Sequence, residues 1–176
     1  MSLTKPVQSP GQFQIAPQPA PKQRSIFTVM AGHEKLGLPI SCVQTIFRIS
    51  KVTPVPLGPE GVVGLVNLRG KIVTAVSLRK RLGLDDAQTH ENAIAIGIEH
   101  RGESFALLVD EVGDVMNVSE AARIAAPANM APSRFRITAA VFLLERDILS
   151  VLDMDAVLDF NGAIVAPHHS QREVTL

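Results

Sequence analysis

Val66-Asn-Leu-Arg-Gly-Lys-Ile-Val-Thr-Ala-Val-Ser-Leu78 holds two short apolar runs, rich in β-branched residues, on either side of Arg69-Gly70. Runs of this length and composition are strands, and the glycine between them marks a turn, so the stretch reads as a β-hairpin. Gly70 falls where the chain reverses tightly between Leu68 and Ile72, which calls for a positive φ that a side chain makes costly. Phe142-Leu-Leu-Glu-Arg-Asp-Ile-Leu-Ser-Val-Leu-Asp-Met154 repeats the pattern, with Leu68 over Leu144, Ile72 over Ile148 and Val76 over Leu152. Each copy runs into a short amphipathic helix. Upstream of each lies a second pair: Glu34-Lys-Leu-Gly-Leu-Pro-Ile-Ser-Cys-Val43 over Glu103-Ser-Phe-Ala-Leu-Leu-Val-Asp-Glu-Val112. Two segments repeated in the same order, each offset by about seventy residues, predict two related small β-lobes. The boundary falls near Gly83 to Asn92.

Outward from these hairpins the same texture continues, short apolar runs broken by Gly, Pro and charged pairs, as in a sheet-rich sandwich or barrel. Strands are expected at Ile26 to Met30, Lys35 to Ile40, Thr45 to Ile49, Gly64 to Leu68, Lys71 to Leu78, Ala93 to His100, Ser104 to Asp110, Val112 to Val118, Ile137 to Leu144 and Ile148 to Asp153. Short helices fit Leu78 to Leu82 and Asp155 to Phe160, the latter with Asp155 as N-cap. Residues 1–24 carry five of the twelve prolines, five Gln and no acid, and read as a flexible arm. Residues 25–84 form the first lobe, 85–162 the second, and 163–176 a flexible tail.

At 176 residues the chain is long enough to bury a core. Its 17 basic and 17 acidic residues cancel, but residues 25–84 carry a net of +6 and 85–162 a net of −9. Lobes of opposite sign favour steered contact with other proteins. A neutral chain with seven Phe and no Trp or Tyr lacks the basic, aromatic surface of a nucleic-acid binder. A single Cys42, the absence of a leader-like opening and the absence of an ~18-residue apolar run point to a cytoplasmic protein without direct membrane insertion.

Catalytic patterns are missing. No G-x-S-x-G elbow occurs, and the five His, at 33, 90, 100, 168 and 169, have no partner motif; His33, His90 and the 168/169 pair read as solvated. One Cys and scattered His do not make a zinc site. Gly64 to Lys71 has neither the glycine spacing nor the Ser/Thr of a phosphate loop. Asp153 and Asp155 are explained by a strand end and a helix cap, Asp110, Glu111 and Asp114 by a solvated acidic edge, and Arg79-Lys80-Arg81 by the wet face of a short helix. No enzyme, metal or cofactor is expected.

The blocks Phe27-x-Val-x-x-Gly-x-x-x-Leu36-Gly-Leu-Pro-Ile40, Val43-Gln-x-Ile46, Val52-Thr-Pro-Val-Pro56 and Val63-Gly-Leu-Val-Asn-Leu-Arg-Gly-Lys-Ile-Val73 follow one another in an order that resembles the CheW family of bacterial chemotaxis coupling proteins. Leu107-Leu-Val-Asp-Glu-Val-Gly-Asp-Val115 and Ile148-Leu-Ser-Val-Leu-Asp153 resemble its later blocks, so the likeness spans about residues 25–160. It implies a mainly all-β fold of two SH3-like five-stranded barrels packed on each other. By the same likeness the chain couples methyl-accepting chemoreceptors to a CheA-type histidine kinase. The receptor's helical hairpin tip would lie in a groove between the lobes, at Val43, Ile46, Gly64, Asn67 and Arg69. The kinase's regulatory domain, which shares the fold, would pack lobe to lobe. Four positions depart from the family pattern: Leu36 where an aromatic is common, Thr45 where Glu is common, and Thr74 and Ser77 where Pro and Asp are. Against this stands a small-molecule-binding barrel, or an enzyme built from scattered acids, which an apolar cavity with convergent polar groups would favour. Taken alone, Arg69 fits a solvated turn, and Val43 and Ile46 fit a strand core.

Overall fold

The computed structural model describes residues 22–86, 90–145 and 147–160. All ten expected strands form. In chain order they are β1 (Gln23–Ala31), β2 (Glu34–Pro39), β3 (Val43–Arg48), β4 (Val62–Leu68), β5 (Lys71–Ser77), β6 (Ile94–His100), β7 (Glu103–Val109) and β8 (Glu111–Ser119), then β10 (Thr138–Leu143) and β11 (Ile148–Leu152) after a two-residue β9 (Arg123–Ile124). Three short helices complete the list: α1 (Leu78–Arg81), α2 (Pro132–Arg136) and α3 (Met154–Val157). The sequence reading missed β9 and α2, although Pro at the first position of α2 is a recognised start signal. It also misplaced one cap. Asp153, not Asp155, accepts the free amides of α3, from Asp155 and Ala156.

The repeat is real in three dimensions, and it exchanges strands. One sheet runs β3-β6-β7-β5-β4, the other β8-β1-β2-β11-β10-β9. Superposing the two orders sets β3 on β8, β6 on β1, β7 on β2, β5 on β11 and β4 on β10. In each sheet the helix-linked strand of one repeat's late hairpin pairs in parallel with the early hairpin of the other repeat, β5 with β7 and β11 with β2. Thus each sequence repeat gives two strands to one sheet and three to the other, the second repeat adding the short β9 as a fourth. A cut between residues 84 and 85 separates the repeats but not the lobes, and the lobe boundary expected from the sequence is corrected accordingly. The charge asymmetry shrinks with it. Residues 40–110, which supply β3 to β7, hold eight basic and seven acidic residues, a net of +1. Residues 25–39 and 111–162 hold five basic and nine acidic, a net of −4.

Three apolar clusters explain why the chain crosses between sheets. Ile49, Val66, Val73, Ala75, Ala95, Ala106 and Leu108 fill one barrel. Ile26, Val118, Ala140, Phe142, Leu149 and Val151 fill the other. The third and largest joins them, bringing Phe27, Val29, Leu36 and Leu38 against Val76, Ile96, Ile98, Phe105, Leu107 and Val109. β7 shows the consequence for sequence. Phe105, Leu107 and Val109 face the other lobe while Ala106 and Leu108 face their own barrel, so both faces are buried and the run Phe105 to Val109 is apolar throughout.

Polar ties also cross between elements distant in sequence. Asp110 accepts from the Arg79 guanidinium at 2.7 Å and from the backbone N–H of Gly32. Arg81 donates to the carbonyls of Ala156 and Asp159 at 2.7 and 2.9 Å, at the C-terminal end of α3, where a cation also suits the helix dipole. Its guanidinium lies over the Phe160 ring, and burial lowers its pKa. Two residues expected on a wet helix face therefore hold the fold together, as does Asp110 from the expected acidic edge.

Candidate functional site

The hairpin of β4 and β5 turns through Arg69, at φ 52°, and Gly70, at φ 87°. Two successive positive φ values define a type I′ turn, whose twist matches that of the flanking strands. Asn67 Oδ1 accepts the Gly70 N–H at 2.7 Å and staples the turn. Arg69 is exposed, and its Nη2 donates to Thr45 Oγ1 on β3 at 3.3 Å. β3 and β4 are the two edge strands of their sheet, so this bond spans the seam of the barrel. Beneath it Thr45 and Leu68 crowd over Gly97, leaving no room for a Cβ there.

Val43 and Ile46 share a face of β3. Val43 pairs with Ile98 and Ile46 with Ile96, both partners belonging to the interlobe cluster, with a register shift between them. Val43 is half-buried against that cluster, whereas Ile46 is 47% exposed. Apolar exposure continues on the outer face of the hairpin at Leu65 and, at 65%, Ile72, which is the cross-strand partner of Asn67. Gly64 is buried. At φ 150° it lets Thr53 lie on β4, where the carbonyl and amide of Thr53 exchange hydrogen bonds with Leu65. Among the five expected residues, then, Asn67 and Arg69 occupy one turn, Arg69 reaches the strand that carries Val43 and Ile46, and Gly64 shapes the floor. Thr45, singled out in the sequence as a departure from the family pattern, joins them through its bond to Arg69.

A second Arg-Gly turn lies between β6 and β7. Arg101 has φ 52° and Gly102 φ 81°. Here Arg101 meets Asp155 of α3 at 2.6 Å, and His100 Nε2 meets the same carboxylate at 2.7 Å. His100, at the end of an expected strand, is thus engaged with an acid. His90, expected to be solvated, lies 3.4 Å from Asp86. Cys42 is half-buried, directs its thiol to the Pro39 carbonyl at 2.9 Å, and has its pKa raised by burial.

Both barrel interiors are filled with apolar side chains, and no group of three or more His, Cys, Asp or Glu is arranged to hold a metal among the described residues. Two interleaved β-barrels, one of five strands and one of six, with an arginine held in a turn and exposed apolar residues on an outer face form a two-lobed β scaffold. The comparisons give that class its family. Residues 25–161 match the model of the CheW-like domain. The chain is 28% identical to the chemotaxis protein CheW of Bacillus subtilis over 130 residues, 74% of this chain and 83% of that protein. It is also 28% identical to CheW of Rhizobium meliloti, over 76% of this chain and 86% of that one. The crystal structure of the scaffolding protein TtCheW from Thermoanaerobacter tengcongensis superposes with a TM-score of 0.69 at 23% identity, covering 81% of this chain and 97% of that one. This chain belongs to the CheW-like domain family. It is a chemotaxis adaptor with the two-lobed SH3-like β fold, and not an enzyme.

Proposed function

We propose that this chain couples methyl-accepting chemoreceptors to a CheA-type histidine kinase, without catalysis, metal or cofactor, from the cytoplasmic side of a membrane receptor array. The receptor's helical hairpin tip rests on Val43, Ile46, Asn67 and Arg69, with Gly64 setting the shape beneath. The kinase's regulatory domain packs against a separate lobe surface. One observation carries this reading beyond family membership: Arg69 is held in a stapled I′ turn, exposed, beside a strand that presents an exposed isoleucine. A fixed guanidinium next to apolar surface is the composition of a protein interface anchor.

The test is titration of the full chain with a soluble receptor hairpin fragment and with a kinase regulatory domain, separately and together. The reading expects each to bind alone and a ternary complex to form. Binding of neither, or strict competition between them, overturns it. Thermal unfolding in ATP, magnesium or zinc should show no shift, since a ligand at 100 times its Kd adds ~2.7 kcal/mol and moves the midpoint by several degrees.

A further inference from the structure

We propose that the second lobe carries a docking strip of its own, at Val112 and Val115 on β8, and that residues 11–16 of this chain's N-terminal arm are what covers it. The inference goes beyond the coupling function and does not depend on it. β8 is the outermost strand of its sheet, the counterpart of β3 in the other. Both edge strands carry one extra residue against their inner neighbour, and both present an apolar pair across it. Val43 and Ile46 pair with Ile98 and Ile96, and Val112 and Val115 pair with Val29 and Phe27. All four partners belong to the cluster that joins the lobes. Thr28, itself buried, donates to the Asp114 carbonyl at 2.9 Å and holds the bulge in β8. Val112 and Val115 therefore face the same side as Val29 and Phe27, yet Val115 is 55% exposed and Val112 is exposed as well.

The chain upstream of the described residues has the chemistry to cover this strip. Lys22 stands at the end of β8, where its carbonyl accepts from the Glu120 N–H at 2.9 Å and Gln23 pairs with Ser119. Pro17, Pro19 and Pro21 withhold the amides that would carry β1 further back as a strand. Beyond them Gly11-Gln-Phe-Gln-Ile-Ala16 is free of proline and alternates polar with apolar, the pattern of an extended segment with one apolar face. Phe13 and Ile15 are two residues apart, as Phe27 and Val29 are, so Ile15 matches Val115 and Phe13 matches Val112. Reach is sufficient. Ile15 lies seven residues from Lys22, a span of up to about 23 Å, whereas Val115 lies four residues from Ser119, about 13 Å along β8. Charge agrees too, since Glu111 and Asp114 flank the strip while residues 1–21 hold Lys5 and no acid. So short a tether gives an effective concentration of about a millimolar, and even a weak apolar contact then keeps the strip covered. A protein that docks on β8 must first displace the arm.

The experiment compares amide hydrogen exchange along β8 in the full chain and in F13S/I15S, a variant that leaves every described residue unchanged. The β8 amides that point away from β1 should exchange at least about fivefold faster in F13S/I15S, and tenfold dilution of wild type should leave its rates as they are. Equal rates in the two proteins overturn the inference. Rates that rise on dilution overturn it as well, because the arm then covers a second copy and not its own chain. A second measurement reads the arm itself. The backbone amide of Ile15 should be ordered in wild type and mobile in V115S, whose substitution falls on an exposed side chain. An Ile15 that is mobile in wild type, or equally ordered in both proteins, overturns the inference. Neither readout involves a receptor or a kinase, so the coupling function stands or falls separately.

Discussion

The two Arg-Gly turns are nearly the same object in backbone terms. Arg69-Gly70 and Arg101-Gly102 share φ values near 52° and 80 to 90°, both close a hairpin of the same sheet, and neither glycine has a neighbouring atom within 4 Å of a would-be Cβ. Their side chains differ completely. Arg101 and the adjacent His100 converge on Asp155 of α3 and tie one lobe to the other, whereas Arg69 finds only the hydroxyl of Thr45. One turn has been absorbed into the fold, and the other presents its cation outward. The local motif sets the backbone, and the acid brought to it from elsewhere in the chain decides whether the arginine is tied into the fold or left exposed.

Comparison of these turns has meaning only if both sit in one body, and the interlobe cluster makes that claim. Leu107 is fully buried within it, so Leu107→Ala should cost about 2 to 5 kcal/mol and still give a single unfolding transition. Two resolved transitions in calorimetry, for wild type or mutant, would mean the lobes are energetically separate. Next in size are Gly70→Val and Gly102→Val. With open space around both positions, the penalty is backbone strain alone, about 1 to 3 kcal/mol. The two melting temperatures should fall by nearly equal amounts, and a large inequality would break the equivalence of the turns. Smaller still is Asp155→Ala. It removes an ion pair between groups that are largely exposed, so the loss should stay under ~1 kcal/mol. Combined with Arg101→Ala it should be less than additive, and combined with Arg69→Ala fully additive, in a double-mutant cycle on stability.

How much of this could be read in the sequence depends on the range of the contact. Alternation and β-branched residues specify strands locally, and so the strands and the turn at Gly70 were legible. The repeat was legible too, because Leu36, Leu38 and Ile40 occupy the positions that Phe105, Leu107 and Val109 occupy in the other copy. Which sheet each strand joins was not. β3 follows β2 by only a 3-10 turn at Ile40–Cys42, yet it pairs with β6. A period of two fixes faces, and says nothing about neighbours. The cations failed for the same reason. Arg79 meets an acid 31 positions away and Arg81 a carbonyl 75 positions away, so both looked like the wet side of a helix. In the site, Arg69 and Asn67 were visible as a turn. The bond to Thr45 was not, since 24 residues and a sheet edge intervene.

The most direct measurement is a pair of titrations on Arg69→Ala, one with the receptor hairpin fragment and one with the kinase regulatory domain, alongside its melting curve. The account predicts a melting temperature and a kinase-domain affinity close to wild type, because an exposed cation with one hydrogen bond adds little to folding. It predicts a receptor affinity weaker by about 2 kcal/mol or more, as at the anchor of an interface. Equal losses toward both partners, or no loss toward either, would contradict it and return Arg69 to the role of a solvated turn residue.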